Sequence, residues 1–217
     1  VMQQAGRGRL SGVHGPVSAL LSTENRFVTA IDTALGASAS SIVVGSAEDG
    51  RACIEYLRHT DGGRATFLPL DTIRPASLRE SGLDRERGCC GTADTLVQFD
   101  ETYGAVVRSL LARTVVCENM DAALALARSR GHRFRIVTLD GQIIQPGGAM
   151  TGGSASRGTG ALARAGRLRA AEEQAERCEA ARKTAEQRFR AAEKRLHACE
   201  TACETQNAAL RRQAEAQ

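Results

Sequence analysis

Two pairs of glycines, Gly147-Gly148 and Gly152-Gly153, bracket Ala149-Met150-Thr151 just after Pro146. Glycine lacks a Cβ, so paired glycines tolerate positive φ and let a ligand or another backbone come close. One chemistry for such a run is phosphate binding, in which successive backbone N–H groups cradle the anion. That loop closes on Gly-Lys-Ser/Thr, whereas here Gly153 is followed by Ser154 and Ala155, with no lysine. The run reads instead as a contact between two protein backbones, made by Gly147, Gly148, Met150, Gly152 and Gly153. An edge strand here would pair with the sheet of a second subunit. Doing so at both ends of the molecule gives a closed two-fold association.

The other reactive side chains offer little catalysis. His14, His59, His132 and His197 stand apart, none in a motif with a serine or cysteine nucleophile. Asp71 and Asp140 each end a strand-like run, where turn capping accounts for them. The seven cysteines are odd in number and lack Cys-x-x-Cys spacing, which argues against a disulfide framework and a zinc site. Free thiols suit a reducing cytoplasm. Cys89-Cys90 offers redox chemistry, although a buried pair of small apolar residues is the commoner outcome. No catalytic residue, metal or cofactor is expected.

Positive charge is nearly all arginine, and the net charge is only +4. Arg7 and Arg9 near the start, and Arg157, Arg164, Arg167 and Arg169 later, are expected to converge on one surface. Six such charges would neutralise a few DNA phosphates weakly, without sequence choice and with steep salt dependence. No aromatic residues interleave with them, so base stacking is not indicated. Arg128, Arg130, Arg133 and Arg135 read as an exposed helix end and strand start. In the polar stretch 76–88, Arg79, Arg85 and Arg87 alternate with Glu80, Asp84 and Glu86, which reads as a solvated linker face.

The elements that must position these residues follow one plan twice, over 15–74 and 91–145. Each copy opens with a short apolar strand, Val17 to Leu21 or Thr95 to Phe99. An amphipathic helix follows: Phe27, Ala30, Ile31, Ala34 and Leu35 share the spacing of Tyr103, Val106, Val107, Leu110 and Leu111. Then come a β-branched strand (Ile42 to Val44, or Val115-Val116) and a helix capped by Ser46 or Asn119 with acids in its first turn. A last strand, Ala65 to Leu70 or Arg135 to Leu139, ends in aspartate. Asp140-Gly141 then signals a hairpin into Ile143-Ile144.

Beyond a small-residue link at 154–160 the pattern is heptad. One column reads Leu168, Ala175, Arg182, Phe189, Leu196, Cys203 and Leu210. The other reads Ala171, Cys178, Ala185, Ala192, Cys199, Gln206 and Gln213. This predicts a coiled-coil helix with a thin seam that needs a partner strand. Residues 1–10 would be the stub of that partner, which makes the chain an excised part of something longer. No apolar run is long enough for a membrane span, and no signal peptide is evident.

Gly12-Val13-His14-Gly15-Pro16-Val17, Ala65-Thr66-Phe67-Leu68-Pro69-Leu70-Asp71, Arg135 to Gly141 and Pro146 to Ser154 together resemble the hinge domain of structural maintenance of chromosomes (SMC) proteins, of the bacterial homodimeric kind. The fold class expected is α/β (α+β), two tandem pseudo-repeated lobes followed by a long coiled-coil helix. The domains expected are the end of an ascending coil strand (1–10), the hinge (11–155; lobes about 11–75 and 91–155, linker 76–90) and the start of a descending coil helix (156–217). The resemblance implies a dimerisation hinge that joins two subunits and touches DNA, in chromosome condensation and segregation. It implies a cytoplasmic, nucleoid-associated protein whose ATP hydrolysis belongs to distant head domains. The competing reading is a small nucleotide-binding α/β enzyme with a coiled-coil tail, which the missing Walker lysine disfavours. The sequence leaves open whether the natural partner is an identical chain or a paralogue.

Overall fold

Gly15 and Gly91 start the two copies with the same irregularity. The computed structural model describes residues 1–6, 8, 10–153 and 160–215, and the chain falls into two units, Val1–Arg167 and Leu168–Gln217. After the short helix α1 (Met2–Gly6), β1 (Val13–Pro16) pairs antiparallel with a later strand, with a register shift between Val13 and Gly15. Gly15 sits there at φ +137°, and its counterpart Gly91 at φ +125°. A side chain would be strained at either bulge.

Lobe one continues with α2 (Val17–Leu20), β2 (Leu21–Thr23), α3 (Val28–Leu35), β3 (Ile42–Val44), α4 (Ala47–His59) and β4 (Phe67–Pro69). The expected strand from Val17 is instead a helical turn, because its apolar residues cluster at Val17, Leu20 and Leu21 rather than alternating. Ser46 and Asp49 form a reciprocal capping box at the start of α4. Asp71 reaches back to accept the Ala47 N–H at 3.2 Å, so it caps a helix rather than its own turn. The sheet order is β1-β3-β4, with β3 and β4 parallel.

Lobe two repeats the series: β5 (Cys89–Thr92), a single helical turn, β6 (Val97–Phe99), α5 (Gly104–Leu111), β7 (Thr114–Cys117), α6 (Met120–Ser129) and β8 (Arg135–Thr138). Asn119 caps α6 by accepting the Ala122 N–H. Two short strands follow, β9 (Ile143–Ile144) and β10 (Met150–Thr151), giving a five-stranded sheet in the order β10-β9-β8-β7-β5. The equivalent strands β2 and β6 pair antiparallel, Ser22 opposite Gln98, so the two copies are related by a local two-fold axis through that ribbon.

Alternation along β7 and β8 divides the core. Val116 and Val137 join α3, α5 and Leu162 in an inner cluster shared by the lobes. Val115, Cys117 and Ile136 pack against α6 on the outer face. The outer layer of lobe one is far thinner: among the described residues Ile42, Val44 and Cys53 are buried there.

Two sequence-based expectations change in this frame. The stretch between the lobes is not simply solvated, because Leu83 is buried. Arg130 donates to Glu86 at 2.7 Å, and Arg133 lies 3.4 Å from Glu80, so both acids tie the linker to the end of α6. Arg135 is not an exposed strand start. It donates to the carbonyls of Ala34 (2.8 Å) and Thr33 (3.0 Å) at the C-terminal end of α3. That is where a helix dipole favours a cation. Burial holds its guanidinium below the usual range.

α7 (Ala161–Glu215) is a 55-residue helix without proline. Its first turn carries no acid, and the need is met from lobe one. Asp32 on α3 accepts the N–H groups of Leu162 (2.8 Å) and Ala163 (3.2 Å), two donors that a helix start leaves unsatisfied. A Cβ on Gly160 would collide with that carboxylate. In the second unit Leu168, Phe189 and Leu196 lie in one heptad column and are all exposed. The opposite charges are laced by i,i+4 pairs such as Glu173 with Arg177 and Glu179 with Lys183. Among the described residues no helix is long and apolar enough to cross a membrane.

Candidate functional site

The glycine-rich run builds a sheet edge. Gly147 and Gly148 turn the chain at φ +84° and +96°, both in the region that disfavours side chains. The turn rests on the loop after α6, because the Gly147 N–H donates to the His132 carbonyl at 3.0 Å. The hairpin closes as the Gln145 N–H donates to the Ala149 carbonyl at 2.7 Å. Met150 then lies opposite Ile144, and Thr151 opposite Ile143. Hydrogen-bonded and open positions alternate along an antiparallel pair. Ala149 and Thr151 therefore face β9, and the N–H and C=O of Met150 point outward from the terminal strand. The Met150 side chain is 60% exposed. Gly152 has ordinary φ, whereas Gly153 sits at +144°; a Cβ at Gly153 would meet nothing within 4 Å.

Lobe one ends in a matching edge that sequence reasoning did not single out. In its parallel ladder the Ile42 N–H donates to the Thr66 carbonyl, and the Leu70 N–H to the Val44 carbonyl. By alternation, the N–H and C=O of Phe67 point away from the sheet. Pro69 has no N–H to offer, and its carbonyl already accepts from Ile73. The open edge of β4 is thus one residue wide. Beside it lies a shallow groove lined by Gly50, Ile54, Ala65, Phe67 and Pro69. Ile54 in this groove is 55% exposed. Proline within a strand marks an edge, and that was the signal available in the sequence.

Of the six arginines expected to meet DNA, Arg164 and Arg167 are exposed and Arg169 is half-buried, all in the first turns of α7. Arg7, Arg9 and Arg157 lie outside the described residues, and with them the expected convergence. Among the described residues no group of three or more His, Cys, Asp or Glu side chains could hold a metal ion.

Two tandem α/β lobes about a local two-fold, each with an open strand edge and followed by a long helix, define a class of coil-borne interaction module. Residues 10–127 match the family described as the SMC proteins flexible hinge domain. The chain belongs to the SMC hinge family. It is 42% identical over 157 residues to the chromosome partition protein Smc of Bacillus subtilis, a match covering 71% of this chain and 13% of that protein. A solved SMC hinge domain of Geobacillus stearothermophilus, described as an asymmetric dimer, is 38% identical. It superposes with a TM-score of 0.72 over 82% of this chain and 73% of that one. The Pyrococcus furiosus SMC hinge domain is 29% identical with a TM-score of 0.59, over 72% of this chain and 81% of that chain. The chain thus spans a small part of the curated relatives that it matches.

Proposed function

We propose that this chain is the dimerisation hinge of a chromosome-organising SMC protein, joining two identical subunits. The observation that carries the reading is the pair of complementary edges. Met150 of β10 offers one outward N–H and one outward C=O, and Phe67 of β4 offers the same. Facing each other antiparallel across two subunits, they exchange two hydrogen bonds. The Met150 side chain then enters the groove beside Ile54. The reverse contact forms at the other end, so the association closes on a two-fold axis. Gly147, Gly148, Gly152 and Gly153 keep the approach free of side chains. The dimeric description of the Geobacillus hinge supports self-association. In the whole protein, ATP hydrolysis belongs to regions beyond this one, and the site of action is the cytoplasmic nucleoid. Sedimentation equilibrium tests the reading: a dimer is expected at micromolar concentration, and a monomer there overturns it.

Weak, non-specific DNA contact is the second part of the proposal. It rests on Arg164, Arg167 and Arg169 in the first turns of α7, together with Arg7, Arg9 and Arg157. Each phosphate contact contributes about −0.9 to the slope of log affinity against log salt. Reversing three of these arginines to glutamate should flatten that slope by about 2 to 3 in a fluorescence-anisotropy titration. The same reversal at Arg79, Arg85 and Arg87 should change it little. Equal losses from both sets would mean that only overall charge matters.

A further inference from the structure

Cys89 and Cys117 stand directly opposite each other on β5 and β7. The Glu118 N–H donates to the Gly88 carbonyl at 2.8 Å, which makes 88–118 the hydrogen-bonded pair. Cys89 and Cys117 therefore occupy a non-hydrogen-bonded position, and facing side chains are closest there. The Cys117 carbonyl accepts from Leu139 on the other side of the strand, in keeping with this register. Both side chains lie on one sheet face: Cys117 is buried in the outer core of lobe two and Cys89 packs against that core. Cys90 packs against the inner core instead. Among the neighbours of the Cys117 thiol, the Cys89 thiol acts on it most strongly. Cα atoms at such a position are about 4.5 Å apart, within the range that a disulfide spans.

We infer that Cys89 and Cys117 form a redox modification site, which closes an intramolecular disulfide by exchange with a low-molecular-weight disulfide such as oxidised glutathione. Half-buried Cys89 reacts first. Its thiolate attacks one sulfur of the small disulfide, that S–S bond breaks, and one small thiol leaves with the proton that Cys89 gave up. Cys117 then loses its proton and attacks the Cys89 sulfur, which expels the second small thiol. Two protein thiols are oxidised by two electrons, and one small disulfide is reduced to two thiols. The neighbouring Cys89 thiol and burial raise the pKa of Cys117 above the ordinary thiol value, so the opening attack falls to Cys89. The bond would fasten β5, the strand entered from the linker, to the centre of the lobe-two sheet.

The test uses the whole chain with Cys178, Cys199 and Cys203, all exposed on α7, changed to serine. After treatment with oxidised glutathione and blocking of remaining thiols, the protein is digested with trypsin without reduction and weighed by mass spectrometry. The expected product links the peptides spanning 88–108 and 114–128 and is lighter by two hydrogen atoms than their sum. The link should persist in a Cys90→Ser variant and vanish in Cys89→Ser. Oxidation should raise the Tm of the first variant and leave the second unchanged. A stable glutathione adduct on Cys89 without a link would overturn the inference. So would a link through Cys90 or Cys53, or no reaction under conditions that modify Cys178 in the unaltered chain.

Discussion

The two lobes run the same order of elements as far as β4 and β8 and then part. After β4, Ile73 closes a turn on Pro69 and the chain leaves for the linker, so the strand edge stays bare. After β8, Gly141 at φ +81° folds the chain back through β9 and on to β10. Where the second copy turns at Asp140-Gly141, the first has Asp71-Thr72. The copies share a plan, but only one adds a covering hairpin. That hairpin's own outer edge has the length and polarity that the other copy leaves vacant. In the proposed dimer, a duplicated unit becomes self-complementary through a difference between its halves, while the parts they share build the core.

The largest expected effect comes from blocking the projecting edge. Met150→Pro removes the outward N–H without touching a bond to β9. It should cost about 3 kcal/mol at each of two contacts, from a hydrogen bond and the burial of Met150. Together these raise the dimer Kd by about four decades, with Tm measured on the monomer nearly unchanged. A dimer that survives would sink the pairing of Met150 with Phe67.

A smaller effect sharpens the comparison within the core. Arg135 has no counterpart in lobe one, where the equivalent position is Thr66. Arg135→Ala removes two charge-assisted bonds to the end of α3 and should lower unfolding free energy by about 3 kcal/mol in urea titration. Arg130→Ala, which releases only the linker, should cost about 1 kcal/mol. Equal costs would mean that Arg135 does not hold the lobes together. The smallest contrast is between caps. Ser46→Ala loses a reciprocal box and should cost about 1.5 kcal/mol, against about 1 kcal/mol for Asn119→Ala.

Much of this was legible in the chain because it is local. Helical spacing marked α3 and α5, the acids after Ser46 and Asn119 marked the next helix starts, and Asp140-Gly141 marked the hairpin. The misreading at Val17 is equally instructive: Val17, Leu20 and Leu21 have the spacing of a helical turn, not the alternation of a strand. What stayed hidden is long-range. Asp32 meets the start of α7 across 130 residues, and Arg135 meets Ala34 across 101. Neither leaves a periodicity or a spacing to read. The acceptor edge was hidden for a related reason, since an unpaired strand looks the same in sequence as a paired one. Pro69 alone hinted at it.

That proline also bears on the life of the newly made subunit before it finds a partner. A bare strand is a template on which further strands can stack without limit, and long flat edges seed fibres. On β4, Pro69 withholds its donor and Ile73 occupies its acceptor, leaving a foothold of a single residue. Such a foothold is too short to recruit an arbitrary strand, and it becomes useful only when a second contact at the far end of the molecule forms with it. The lone chain can therefore wait in solution with its edge uncovered and still resist runaway aggregation.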